Sequence, residues 1–153
     1  MNTTNIGPIN IIGIAIRTTN ENGQAAIDIP ALWNRFLSEQ IASKIPNKLS
    51  DDVYSVYTDY ELDHTKPYTT IIGCRVSGLD EVPEGLTGKA IAEARYTTFV
   101  AKGKLSDQIV YNEWLKIWNA GLPRTFTADF EVYGAAAQHP ENAEVEIFIA
   151  VED

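Results

Sequence analysis

The same order of secondary-structure patterns occurs twice along this chain, and this repetition is the strongest constraint on its fold. Ile9–Thr18 is rich in isoleucine and predicts a strand, and residues 30–45 carry apolar side chains at helical spacing. Two further strand-like runs, residues 53–60 and 68–77, flank a polar segment and predict a hairpin. The first half of the chain therefore predicts the order β-α-β-β.

The second half predicts the same order. Residues 90–101, 125–134 and 143–152 have strand patterns, and a helix over residues 106–119 begins with a serine that is a suitable N-cap. Between the halves, residues 79–89 contain two glycines and one proline and predict a linker. The apolar faces of the two helices consist of Leu32, Trp33, Phe36, Leu37, Ile41 and Ile45 in the first and Ile109, Val110, Trp114, Ile117 and Trp118 in the second.

One such half would bury too little apolar surface to fold alone, so we predict one domain over residues 1–153. Its pseudo-repeats would cover about 9–78 and 90–152, related by pseudo-two-fold symmetry. The predicted fold class is α+β, with tandem β-α-β-β repeats, an antiparallel sheet and two helices on one side of it.

The charge of the chain argues against nucleic acid as a direct partner. The formal net charge is −9 and no cluster of lysine and arginine interrupts it, so phosphates would be repelled. We also expect no DNA-binding element before the first strand, because only about eight residues precede it. A role in transcription would then require a partner chain.

Cysteine usage and hydropathy predict a cytoplasmic protein without membrane association. Cys74 is the single cysteine and cannot form an internal disulfide, which is typical of a reducing compartment. No apolar run approaches the ~20 residues that a membrane helix needs. The apolar stretch near the start has no basic residue before it, so it does not have the pattern of a signal peptide.

Few residues in this sequence suggest catalysis or metal binding. Cys74 lies in an apolar run, and the two histidines, His64 and His139, lie in different loops, so no nucleophile–base pair is indicated. The acidic run at residues 59–64 predicts a solvated turn rather than a metal site, and no glycine-rich phosphate loop occurs. We therefore predict a protein that is not an enzyme and has no metal or cofactor.

The last two predicted strands place carboxylates beside aromatic rings. Alternation puts Glu131 with Tyr133 on one face and, on the following strand, Glu146 with Phe148. If the two strands pair with these faces together, the face is either a solvated side of the sheet or the floor of an aromatic pocket. Such a pocket would bind an organic cation through ring faces and a carboxylate. The spacing alone leaves both interpretations open.

Five short segments with a fixed order add a resemblance to a known family. They are VYTDYE at residues 56–61, IIG at 71–73, WLKIW at 114–118, DFEVY at 129–133 and EIFI at 146–149. Together they resemble the GyrI-like small-molecule-binding domain, the effector-binding domain of AraC-type and MerR-type transcription activators. That domain also occurs as a stand-alone protein, and the likeness is greatest to the branch encoded by integron gene cassettes. It extends from residue 11 to residue 151.

The resemblance implies a tandem β-α-β-β fold around a central ligand cleft. Members of this family bind lipophilic cations between aromatic walls, with a buried glutamate. The glutamate and tyrosine of one family motif match Glu131 and Tyr133, and the glutamate of a second motif matches Glu146. Phe148 stands where tyrosine is commoner, which leaves the ring selectivity of the site open.

Further aromatic residues complete the predicted ligand site. Tyr57 and Tyr96 lie on strands of the two halves and are candidate walls. Trp33, Trp114 and Trp118 are also predicted to bind ligand, although tryptophans on the apolar face of a helix are more often core residues.

The function that these observations favour is a stand-alone binding domain for lipophilic, cationic aromatic small molecules. It would sense or sequester drugs, alone or as the partner of a transcription regulator. Two alternatives stay open: an inhibitor that binds another protein through an apolar patch, and a hydrolase of reactive small molecules that uses a carboxylate as general base or nucleophile. The sequence is compatible with a homo-oligomer as well as with a complex with a regulator partner.

Overall fold

Eight strands form a single antiparallel sheet in this computed structural model, which describes residues 2–152. The strands are β1 (Thr4–Ile6), β2 (Ile9–Thr18), β3 (Val53–Thr58), β4 (Tyr68–Val76), β5 (Thr87–Ile91), β6 (Ala94–Gly103), β7 (Ala128–Tyr133) and β8 (Ala143–Ala150). The helices are α1 (Ala25–Ser38), α2 (Ile41–Lys44) and α3 (Ile109–Asn119). None of these helices is long and apolar enough to cross a membrane.

The strand order is symmetrical about the border between β3 and β7. Along the sheet the order is β1-β6-β8-β7-β3-β4-β2-β5, so β4 and β8 flank the central pair and β2 and β6 come next. The unit β2-α1-β3-β4 therefore has the same layout as β6-α3-β7-β8. The predicted α+β fold with tandem β-α-β-β units in an antiparallel sheet is confirmed.

The sheet curls until its two ends meet. β1 continues into β2, and β5 into β6, each after a break of two residues. Ile6 faces Ala94 and Ile9 faces Ile91, so residues 4–13 and 87–96 form one interrupted antiparallel ladder. Gly7 lies in the first break with φ of +114°, and a Cβ there would lie 2.9 Å from the opposing backbone. Glycine is needed at this position because the two segments of backbone lie too close together for any side chain.

Alternation along the strands separates two packed faces. The inner face of the curled sheet holds one apolar cluster built around Ile11, Val56, Ile71 and Phe130. Both long helices cover the other face. α1 packs on the first half through Leu32 and Phe36 in one cluster, and α3 packs on the second half through Trp114 and Ile117 in another. The predicted position of both helices on one side of the sheet is confirmed.

Several predicted boundaries are wrong for local reasons. The strand predicted over residues 90–101 is two strands, β5 and β6, and β5 occupies part of the predicted linker. The first helix begins at Ala25 rather than at Pro30, because a proline near the start of a helix removes only one early hydrogen bond. That helix ends at Ser38, before the left-handed Gln40, and α2 is separate.

The second helix also begins later than predicted. Ser106 lies in a short 3-10 turn, Leu105–Asp107, and does not cap α3 with its side chain. The residue before α3 is the left-handed Gln108, which turns the chain into the helix. The short strand β1 had no pattern long enough to be recognised from the sequence.

Candidate functional site

A cavity of about 420 Å³ lies between α1 and α3, over the strands at the border of the two halves. β3 and β7 supply its floor, and each contributes the side chains that alternation turns toward the helices. The predicted site residues that line it are Trp33, Tyr57, Trp114, Trp118, Glu131 and Tyr133. The cavity is therefore walled mainly by aromatic rings, with one carboxylate at the floor.

Glu131 is the most deeply placed charged group of this cavity and is 1% exposed. Its carboxylate accepts hydrogen bonds from Tyr57 Oη at 2.9 Å, from Trp114 Nε1 at 2.6 Å and from Tyr133 Oη at 2.6 Å. All three donors are uncharged, so none of them compensates the negative charge. Burial raises the pKa of Glu131, and the three hydrogen bonds oppose that rise.

The donors around Glu131 are held in place by their own contacts. Tyr57 packs edge-on against Trp114 with ring centroids 5.5 Å apart, and Ser55 Oγ donates to Tyr57 Oη at 3.1 Å. Tyr133 packs edge-on against Trp33 at 4.9 Å. Burial and the charge of Glu131 raise the pKa of both tyrosines well above the usual phenol range, so both hydroxyl groups remain protonated donors.

Glu146 and Phe148 do not belong to this site. The prediction that they share a face with Glu131 is wrong, because the register pairs Glu131 with Ile147 and Phe130 with Phe148. Phe148 accordingly stacks on Phe130 at 4.8 Å on the inner face of the sheet. Glu146 is exposed on that same face. The solvated-face interpretation thus describes Glu146, whereas Glu131 is buried in the cavity.

Tyr96 also lies away from the cavity. Its side chain is 1% exposed in the inner cluster, where its ring packs edge-on against Phe130 at 5.2 Å. Its hydroxyl donates to the carbonyl of Ala128 at 3.1 Å. Strand alternation on β6 directs Tyr96 inward, so it is a core residue rather than a wall of the cavity.

The cavity residues that were not recognised from the sequence include Tyr60, His64, Tyr68 and Arg124. Tyr60 and His64 belong to the acidic run predicted to be a solvated turn, but their rings point inward. Tyr60 packs 5.8 Å from Tyr68, and His64 stacks on Trp118 at 5.5 Å. The two rings within that acidic run were the available signal, since a wholly solvated turn needs no rings.

Arg124 lines the cavity and pairs with a second buried carboxylate, Asp129, behind it. Arg124 Nη2 lies 2.8 Å from Asp129 Oδ2, with exposed side-chain fractions of 4% and 0%. Asp129 also accepts hydrogen bonds from Tyr60 Oη at 2.6 Å and from the backbone N–H of Ala150 at 2.8 Å. The guanidinium group lies over the ring of Phe126, 4.3 Å from its centroid. This ion pair fixes the loop before β7 against the floor of the cavity.

Residues 4–151 match the sequence model of Cass2, the integron-associated effector binding proteins. This chain is a member of that family. The resemblance to the GyrI-like domain, in its integron-cassette branch, is thereby confirmed.

Similar proteins include two solved structures with the same fold and one protein related in sequence. An integron cassette protein from Vibrio cholerae is 31% identical, with a TM-score of 0.77 over 99% of this chain and 95% of that one. The putative transcriptional regulator YobU of Bacillus subtilis (strain 168) is 28% identical over 126 residues, 80% of this chain and 79% of YobU. SAV2435, solved bound to tetraphenylphosphonium, is 16% identical with a TM-score of 0.75 over 99% of this chain and 93% of its own.

Proposed function

We propose that this Cass2 protein binds lipophilic aromatic cations in the cavity between α1 and α3, with Glu131 as the partner of the positive charge. The observation that carries the proposal is a buried carboxylate that faces an aromatic cavity and has only uncharged hydrogen-bond donors. Removal from water makes the charged form costly, and an entering cation supplies the missing counter-charge.

The walls suit such a ligand. The rings of Trp33, Tyr57, Trp114 and Tyr133 surround the carboxylate, and a cation is attracted to ring faces at distances up to about 6 Å. A cavity of about 420 Å³ accommodates a ligand of several aromatic rings when part of that ligand extends to the mouth. SAV2435, which shares the fold, was solved with a lipophilic phosphonium cation.

The proposed cellular role is the sensing or sequestration of such cations. The family is one of effector-binding proteins, and the relative YobU is described as a putative transcriptional regulator. EcmrR, solved in complex with DNA, matches this chain with a TM-score of 0.62. The match covers 99% of this chain and 57% of EcmrR. We propose that a regulatory role of this chain would involve a partner that binds DNA.

The test compares two ions of the same shape and opposite charge. Tetraphenylphosphonium and tetraphenylborate are titrated into the protein, with quenching of tryptophan fluorescence as the signal, since Trp33 and Trp114 line the cavity. We expect the cation to bind at least about tenfold more tightly at physiological salt, because a buried charge is little screened. Equal affinities for the two ions would exclude Glu131 as the element of recognition.

A further inference from the structure

Arg124 uses only part of its hydrogen-bonding capacity. Its Nη2 atom donates to Asp129 at 2.8 Å, whereas Nε and Nη1 are buried and have no hydrogen-bond partner. A guanidinium group carries five N–H bonds, one of them on Nε and two on Nη1. Buried donors without an acceptor disfavour the free protein, and an incoming acceptor removes that penalty. Arg124, which lines the cavity, thus has unsatisfied buried donors.

A second unsatisfied polar atom lies at the same end of the cavity. His64 Nδ1 is buried without a hydrogen-bond partner. Phe126 contacts both side chains, with its centroid 6.3 Å from the His64 ring and 4.3 Å from the Arg124 guanidinium carbon. Burial and the charge of Arg124 lower the pKa of His64, so the imidazole is neutral at pH 7. One end of this aromatic cavity therefore holds two polar side chains with nitrogen atoms that have no hydrogen-bond partner.

The charges at this end favour a neutral acceptor. Asp129 already neutralises Arg124, and Glu131 lies two residues further along the same strand. A carboxylate on the ligand would be a third anion beside one guanidinium group, at a buried position where repulsion is strong. A carbonyl oxygen accepts the same N–H bonds without that repulsion.

We propose that the ligand of this cavity is a lipophilic cation that also carries a neutral carbonyl-type oxygen, which Arg124 binds at the His64 end. The inference rests on the proposed function, because Glu131 binds the cationic part. Trp114 lies between the two positions: its Nε1 donates to Glu131, and its ring centroid is 5.8 Å from the guanidinium carbon of Arg124. The cation and the acceptor are thus separated by about one aromatic ring.

Access to the guanidinium group depends on Phe126. Nε and Nη1 are closed to solvent, and the Phe126 ring lies directly over the group. Phe126 has φ of +53°, in the left-handed region that bulky side chains disfavour. Binding of an acceptor to Nε or Nη1 therefore requires the Phe126 ring to move away from the guanidinium group.

The experiment uses four phosphonium cations that differ at one position. Tetraphenylphosphonium is compared with triphenylphosphonium cations whose fourth ring carries a para-acetyl, a para-isopropenyl or a para-carboxylate group. The acetyl and isopropenyl groups have nearly the same shape, and only the first has an acceptor oxygen. We expect the acetyl compound to bind the parent protein about tenfold more tightly than the isopropenyl compound, as one hydrogen bond to a charged donor allows. The carboxylate compound should bind more weakly than the acetyl compound.

Arg124→Lys is the matching variant. Lysine keeps a cation beside Asp129 but lacks the Nε and Nη1 donors. We expect its ratio of acetyl to isopropenyl affinity to fall below about threefold, as expected if the acceptor bond is lost. Arg35→Lys, on the exposed side of α1 where Arg35 pairs with Glu39, is the control and should keep the parent ratio.

The outcomes separate this inference from the proposed function. If tetraphenylphosphonium does not bind the parent protein, the proposed function itself is wrong. If it binds but the acetyl compound has no advantage, or the carboxylate compound binds more tightly, only the acceptor inference is overturned. If the acetyl compound keeps its tighter binding in Arg124→Lys, the acceptor inference is likewise overturned. The comparison of ligands on the parent protein is decisive even if the lysine variant does not fold.

Discussion

Asp129 and Glu131 lie two residues apart on β7, and both carboxylates are buried, but only Asp129 has a positively charged partner. Arg124 pairs with Asp129 at 2.8 Å, and Tyr60 and a backbone N–H complete its hydrogen bonds. Glu131 has three uncharged donors and faces the open volume of the cavity. Burial alone therefore does not predict a binding carboxylate, and the proposal for Glu131 rests on an uncompensated charge next to the open cavity.

Because Asp129 has a charged partner and Glu131 has none, we expect the first to contribute to stability and the second to ligand binding. A buried ion pair contributes little compared with apolar packing, but the loss of one partner leaves the other charge buried and unpaired. Asp129 is thus part of the folded framework, and its loss affects the whole protein. Glu131 already lacks a counter-charge in the free protein, so its replacement by a neutral group costs the fold little.

Asp129→Asn has the largest expected effect. The substitution leaves the guanidinium group of Arg124 buried without its anion, and we expect the free energy of unfolding to fall by about 3–5 kcal/mol. Urea denaturation followed by circular dichroism measures the change. A loss below about 1 kcal/mol would mean that water or another acceptor compensates Arg124, and the contrast between the two carboxylates would disappear.

Glu131→Gln should reduce ligand affinity while leaving the stability of the fold nearly unchanged. We expect the affinity for tetraphenylphosphonium to fall by about ten- to a hundredfold, since the counter-charge is removed while the shape is kept. The free energy of unfolding should stay within about 1 kcal/mol of the parent value, or rise.

Glu146→Gln provides the matched control for that variant, because Glu146 is exposed on the other face of the sheet. Its affinity for the cation should equal that of the parent protein in the same fluorescence titration. Equal losses in both glutamine variants would show that the net charge of the protein, rather than one buried group, attracts the ligand.

The pH dependence of binding gives the smallest of the three effects. Because burial raises the pKa of free Glu131 and a bound cation lowers it again, binding should weaken as pH falls through the raised pKa. For the fold the sign is reversed: stability due to Glu131 is complete below the unfolded pKa and is lost as pH rises through the folded pKa. Cation titrations and urea denaturation across this range should therefore show opposite trends.

Tyr133→Phe sharpens that measurement. The variant removes one hydrogen bond to the ionised carboxylate, which should move the midpoint of the binding transition upward by up to about one pH unit, or 1.4 kcal/mol. Tyr54→Phe is the control, since Tyr54 packs on Phe130 at the inner face. A midpoint that does not move in Tyr133→Phe would indicate that a group other than Glu131 controls the titration.

The sequence predicted those parts of the molecule that depend on local pattern. Helical spacing and alternation gave the element order, and alternation on β7 placed Glu131 and Tyr133 on one face. The prediction for Glu146 failed because it needed the pairing of two strands. Alternation defines the two faces of β8 but not which of them lies beside Glu131. That choice depends on register, which the pairing of Glu131 with Ile147 fixes.

Arg124 could not be predicted because its role depends on where a loop folds. It precedes Asp129 by five residues, yet its side chain reaches that carboxylate only because the loop before β7 folds back over the floor of the cavity. His64 was missed for the same reason, since a turn with acidic residues was assigned to solvent as a whole. Loop conformations depend on contacts with distant parts of the chain, and no periodic sequence pattern predicts them.

The symmetrical strand order places Glu131 at a special position. Ser55 of β3 is its register partner, so this pair lies where the two halves meet. Tyr57 follows Ser55 by two residues as Tyr133 follows Glu131, and the hydroxyl groups of both tyrosines donate to the same carboxylate. Two equivalent positions thus flank the centre of the molecule, but one has a carboxylate and the other a hydroxyl. The cavity therefore offers a single uncompensated negative charge that side chains of both halves contact, and under the proposed function it would suit a ligand with one positive charge rather than two.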